Sequence, residues 1–232
     1  MKYIETLKPG QVQNMNLIIT SLHKSRITNL FAQGATLGVC SKECEFNMAE
    51  EISYKNTPNE RIRAVFGTHF TGISDAAINA LKSDDRAFFD HVYGGMYGNK
   101  PNQGFLYRGR GFNDVTFEGN YAMLTRESGW TPADPSKGHN LVDHPELLDN
   151  PEIAAECVPY YFWNKFYSMP NEVAADIHAK GINDFTNLED AITGLYRANA
   201  GWGNKIFPDV TGGFYKAHAR AQEFYDLLTS NK

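Results

Sequence analysis

The segment Ile27-Thr28-Asn29-Leu30-Phe31-Ala32-Gln33-Gly34-Ala35-Thr36-Leu37-Gly38-Val39-Cys40 decides the fold class. Ile27, Leu30, Phe31 and Leu37 fall on one side of a 3.6-residue period, so residues 27–40 are expected to form a helix with an apolar face. Residues 13–24 repeat the pattern upstream. Further along, Ser74 is placed to cap a helix over 75–81, and Phe88, Phe89 and Val92 mark the buried face of another over 85–93. Asn150-Pro151-Glu152 combines a cap, a proline at the first turn and an acid near the positive dipole end, which opens a helix toward Phe166, kinked at Pro159. Asn187 opens another through 198, and residues 214–228 close the chain as a helix. Alternation suited to a strand is confined to 104–116, where Tyr107, Gly109, Gly111 and Val115 fit a short hairpin or bulged strand. No repeat or linker interrupts the pattern, so residues 1–232 read as one mainly α domain with a small β element.

Composition excludes several functions. A net charge of -5 with no Lys/Arg run longer than two residues offers no basic stripe for a phosphate backbone, so nucleic acid is not an expected partner. The 13% aromatic content, with 12 Tyr and 3 Trp, suits either core packing or a surface that stacks sugars. Cys40, Cys44 and Cys157 are odd in number and lack a Cys-x-x-Cys pair, which argues against a disulfide framework or structural zinc and for buried thiols. Residues 14–19 are too short and polar for a secretory core, and no run approaches the roughly 20 apolar residues of a membrane span. Synthesis in the cytoplasm without a signal peptide is expected.

Two constellations carry candidate chemistry. Ser41-Lys42-Glu43-Cys44-Glu45-Phe46 ends the apolar helix with two carboxylates, and Glu50-Glu51-Ile52-Ser53-Tyr54 adds two more. Glu43 follows the buried-looking 38–40, a setting that desolvates a carboxyl and raises its pKa; Glu50 or Glu51 is placed to face it. The bland alternative pairs these acids with Lys42, Lys55, Arg61 or Arg63. The second constellation is Tyr107-Arg108-Gly109-Arg110-Gly111-Phe112-Asn113-Asp114-Val115-Thr116, continuing to Asn120-Tyr121. Asp114 stands where a dinucleotide loop needs its third glycine, so that reading fails; the glycines instead permit close backbone approach, and Thr116 and Asn120 suit holding a water or a sugar amide. His139, Asp143 and His144, or His69 with His91, lack the spacing of a catalytic zinc site, and no serine-hydrolase or cysteine-protease signature is present.

These motifs, in this order, resemble the family 19 glycoside hydrolases, the chitinase-like group that includes many phage endolysins, over residues 27–207. The resemblance places Glu43 as general acid and Glu51 as general base, with Glu50 the substitute. Tyr107-Arg108-Gly109-Arg110-Gly111 is similar to the family's most specific motif; Thr116 matches the residue that helps position the water, and Asn120-Tyr121 the substrate-cleft pair. Asp114 replaces the usual Gln, which adds a negative charge expected to raise the Glu pKa values. Residues 140–155 match the stretch before the long core helix, and the run from Ile192-Thr193 to Asn199-Ala200-Gly201 makes Asn199 a substrate-binding residue.

What the resemblance implies is a lysozyme-like, two-lobed, mainly α fold with a cleft between the lobes and an inverting hydrolysis of β-1,4 bonds that needs no metal or other cofactor. Tyr107, Arg110, Asp114, Asn120, Tyr121 and Asn199 are the implied substrate contacts. The expected partner is a polysaccharide, peptidoglycan or chitin, and the expected state a monomer. An endolysin or virion-associated lysin, reaching the wall by membrane disruption or in a virion, is the leading expectation; a chitinase and an inactive sugar-binding virion protein are the alternatives.

Overall fold

The computed structural model describes residues 2–48, 51, 53–170, 177–201 and 212–230. Nine α-helices form there: α1 (Pro9–Lys24), α2 (Leu30–Cys44), α3 (Asn59–Phe66), α4 (Asp75–Lys82), α5 (Asp85–Tyr93), α6 (Glu118–Glu127), α7 (Pro151–Tyr167), α8 (Leu188–Ala200) and α9 (Gly213–Ser230). The fold is mainly α. None of these helices is long and apolar enough to cross a membrane. The chain divides into two compact units, one of residues 1–48, 111–113 and 149–232, the other of residues 49–110 and 114–148.

The first unit is built on α2. Its start lies at Leu30 and not at Ile27 because Asn29 is extended and its Oδ1 accepts the Ala32 N–H at 3.0 Å. Residues 32–41 are all buried, the signature of a helix covered on every side. Gly38 is required by α9: a Cβ there would lie 2.5 Å from the Ala217 carbonyl oxygen and 2.7 Å from the Ala221 Cβ. The first helix begins at Pro9, four residues before the expected start, because Pro occupies the first turn and Gln11 Oε1 accepts the Lys8 N–H at 2.8 Å. The helix opened by Asn150 runs as expected through Pro159, to Tyr167.

The second unit has an aromatic core. Ile62, Phe70, Ile78, Phe88, Phe89 and Val92 are buried together, with Tyr54, Phe66, Tyr93 and Phe105 packed against them. Ser74 caps α4 as expected, its Oγ accepting the Ala77 N–H at 3.3 Å, and Asp84 caps α5. Helices α3 and α6 were not anticipated. The expected β element is reduced to the isolated antiparallel bridge Arg110–Val115, since Asp114 adopts φ 55° and folds the chain back before a strand can extend. A second isolated bridge joins Thr131 and Asp134.

Candidate active site

Glu43 lies in the last turn of α2. Lys42 Nζ is 3.2 Å from both of its carboxylate oxygens, and Asn199 Nδ2, from the last turn of α8, donates to Oε1 at 2.8 Å. The Glu43 side chain keeps 17% exposure, and the same Lys42 ammonium lies 5.6 Å from the Tyr196 ring centroid. Glu43 is thus half-enclosed and held by a cation and an amide, not set against bare apolar surface. Asn199, implied as a substrate contact, uses its amide N–H on the carboxyl.

The turn beyond Glu43 is locked. Glu45 ends α2 at φ 54°, and its N–H reaches the Ser41 carbonyl at 2.9 Å. The buried Arg220 of α9 donates to that carbonyl at 2.5 Å and to Glu45 Oε1 at 3.1 Å, and lies 3.6 Å from the Tyr3 ring centroid. The hydrogen bond from Arg220 holds the Glu45 carboxyl below its ordinary range. Cys44 Sγ lies 3.5 Å from the carbonyls of Cys40 and Phe112. Burial pushes the Cys40 thiol well up and the Cys157 thiol to about 12, so neither offers a thiolate.

Glu51 belongs to the second unit and has a different environment. Its Oε1 accepts from Tyr93 Oη at 2.8 Å and Tyr54 Oη at 3.1 Å, and its Oε2 from the Gly109 N–H at 3.3 Å. The Glu51 N–H in turn donates to the Gly109 carbonyl at 3.0 Å. Burial pushes the carboxyl above its ordinary range, against the hydrogen bonds from Tyr93, Gly109 and Tyr54 and the Arg108 charge. Burial is the main cause of this rise. The Tyr54 and Tyr93 hydroxyls are themselves pushed up, by burial first, then by Glu51, with a smaller contribution from Asp114. Glu50, the alternative second carboxylate, lies outside the described residues.

Gly109 shows why the Arg-flanked glycines are needed: a Cβ there would overlap Asp114 Oδ1. Thr116 Oγ1 donates to the Asp114 carbonyl at 3.0 Å, and Asn120 Nδ2 to the Thr116 carbonyl at 2.7 Å, so these two residues brace the turn beside Glu51's partner Gly109. Asp114 is exposed, Thr116 and Asn120 half-buried.

Tyr107, Arg110 and Tyr121, three of the implied substrate contacts, are 2%, 5% and 0% exposed. Tyr107 Oη donates to the Val142 carbonyl at 3.0 Å; Arg110 Nη1 donates to the Leu106 carbonyl at 2.8 Å and to Tyr121 Oη at 3.1 Å; Tyr121 Oη donates to the Arg108 carbonyl at 2.9 Å. These hydrogen bonds hold the 106–121 loop. Sequence reasoning in turn missed Tyr93 and Arg220. Tyr93 is 42 residues from Glu51 and Arg220 175 from Glu45, and no local pattern links such pairs.

Neither a family model nor a curated protein matches the chain. The two carboxyl groups are each held in a shaped environment within their own unit. Among the described residues no three His, Cys, Asp or Glu side chains group as metal ligands do. Of the histidines named above, His91 Nε2 meets the His69 carbonyl at 2.9 Å and His144 Nδ1 meets Glu146 at 3.2 Å.

Proposed function

We propose that this chain is an inverting glycoside hydrolase that cleaves β-1,4 bonds in the glycan strands of peptidoglycan, as an endolysin or virion-associated lysin. The observation that carries the reading is Glu51: a buried carboxyl with a raised pKa, gripped by two tyrosine hydroxyls and a backbone N–H. A carboxylate general base is most effective when its pKa is lifted toward the working pH, and burial does that here. Glu43 is the general acid that gives its proton to the glycosidic oxygen. Water adds to the anomeric carbon as that bond breaks, and Glu51 takes the water's proton, with Thr116 helping to hold the water. Asn199 and Lys42 fix the Glu43 carboxyl, which is the part of catalysis that depends on positioning. The resemblance of the ordered motifs to the chitinase-like hydrolases supports the same assignment.

Zymography on purified peptidoglycan beside colloidal chitin tests the proposal. The parent protein clears peptidoglycan and Glu43→Gln does not; clearing of chitin alone moves the substrate to that polymer. If neither substrate is cleared, or if Glu43→Gln lyses as the parent does, the proposal fails. Proton NMR of fresh products is expected to show the inverted anomer first.

A further inference from the structure

Just beyond Glu43 the backbone takes two consecutive left-handed steps, Glu45 at φ 54° and Phe46 at φ 57°. Neither residue is a glycine, so in each the Cβ crowds a carbonyl oxygen. Phe46 is fully buried, with its ring edge-on to Phe224 at 5.6 Å. Such a strained pair persists only where its surroundings over-determine it, and strain of this kind clusters at working sites.

The grip comes from both sides. On one, Arg220 and Lys216 of α9 hold the Glu45 carboxylate at 3.1 and 3.4 Å. On the other, α1 takes the carbonyls of the two left-handed residues: Gln11 Nε2 donates to the Glu45 carbonyl at 2.6 Å, and Asn14 Nδ2 to the Phe46 carbonyl at 2.8 Å. Gln11 and Asn14 stand one helical turn apart and so share a face of α1, which lets them meet successive carbonyls. Gln11 is itself fixed, because its Oε1 accepts the Lys8 N–H at 2.8 Å.

The consequence falls on Glu43. Its carboxyl meets Asn199 Nδ2 at 2.8 Å from the last turn of α2, and that turn closes through the Glu45 N–H on the Ser41 carbonyl at 2.9 Å. Helix ends fray when the residues that follow are free to rotate. Fixing the carbonyls of 45 and 46 fixes the last turn, and with it the direction in which the Glu43 side chain leaves the helix.

We propose that Gln11 and Asn14 are positioning residues for Glu43, which hold the left-handed turn from α1 and so set the carboxyl against Asn199. The proposal rests on the reading of Glu43 as general acid given above. Both residues act through the backbone of 45 and 46.

The test uses the full chain with variants that change the donor. Gln11→Met and Asn14→Leu keep the side chain's approximate size and remove its N–H, whereas Gln11→Lys retains a donor. One readout is kcat and KM on soluble glycan strands from purified peptidoglycan; the other is the Asn199 side-chain amide resonance in heteronuclear NMR. In Gln11→Met/Asn14→Leu, kcat should fall about tenfold with KM within about twofold of the parent, the pattern of a misplaced group that does not bind substrate. The Asn199 amide protons should move upfield as their bond to Glu43 weakens. Gln11→Lys should recover most of the kcat lost in Gln11→Met. A merely structural role would lower Tm but leave kcat and the Asn199 resonance in place well below Tm, and that result overturns the proposal, as does an equal loss of kcat in Gln11→Lys. If the double variant does not fold, Gln11→Met against Gln11→Lys decides by the same readouts. If the parent cleaves no glycan, the glycosidase reading fails and the Asn199 resonance alone decides the grip: an unmoved resonance refutes it and an upfield shift upholds it.

Discussion

The two units use the same residue type in opposite ways. In the first, helices pack through small residues such as Gly38, and Glu43 emerges at a helix end among polar partners, Lys42 and Asn199. In the second, rings fill the core, and Glu51 sits at its margin with two tyrosine hydroxyls on one oxygen. A carboxyl beside a cation and an amide is fixed in place by charge and hydrogen bonding. A carboxyl enclosed by rings is lifted in pKa by desolvation and only partly brought back by its donors. Placing identical side chains in contrasting surroundings is how one protein obtains two different proton-transfer groups.

The largest expected effect comes from removing either group. Glu43→Gln and Glu51→Gln should each lower the turnover of glycan by about 10²- to 10⁴-fold, the range of a positioned acid or base. Loss of activity in only one variant would break the pairing. Turbidity clearing and reducing-end release measure it.

A smaller effect is expected from the frame of the Glu43 environment. Arg220→Met removes the donor to both the Ser41 carbonyl and Glu45 without touching Glu43 itself. It should cost about 2 kcal/mol of unfolding free energy, as buried acceptors lose a charged donor. Turnover should fall by less than in Glu43→Gln, since the carboxyl keeps Lys42 and Asn199. Urea unfolding followed by circular dichroism, alongside the activity assay, separates the two. An unchanged midpoint would mean that the turn is held by other contacts.

Tyr93→Phe tests the other region. The Tyr93 hydroxyl favours the ionised form of Glu51, so its removal raises the Glu51 pKa further. A general base must be deprotonated to act, and the acidic limb of the turnover profile is therefore expected to move to higher pH. Tyr54→Phe should do the same to a lesser extent, its bond being longer. An acidic limb that stays in place would remove Glu51 from the role of base.

How far these features were legible follows from the range of the forces involved. The helices were readable wherever a cap or a period announced them, as at Asn150, Ser74 and Asp85–Tyr93, because those signals are local. Helix α6 was missed since it starts at the strained Phe117, which has no capping side chain, and the short α3 has no capping side chain at Pro58 to announce its start. Glu43 and Glu51 stood out as acids beside apolar sequence, but their environments did not. Desolvation is found at Glu51, where Tyr54 is a near neighbour but Tyr93 comes from 42 residues along the chain. The motif at 107–111 was visible, yet its tyrosine and arginine side chains turn inward. Sequence indicates that such residues matter; only packing separates a ligand contact from a brace.

The smallest expected effect concerns stability and pH. Glu51 has a folded-state pKa above its unfolded value, which lies near about 4.3. Between those two values the folded chain binds more protons than the unfolded chain, so stability falls as pH rises through that window and levels off above the folded pKa. Glu51→Gln removes the ionisation. The variant should then lose less stability than the parent between about pH 4 and neutrality, whatever its absolute stability, as the linkage requires. Urea midpoints at the two pH values measure the difference, and parallel pH dependences in parent and variant would refute the raised pKa. A buried carboxyl that weakens the fold as it ionises has a cost that packing alone does not explain; in the proposed reaction that cost serves its use as a base.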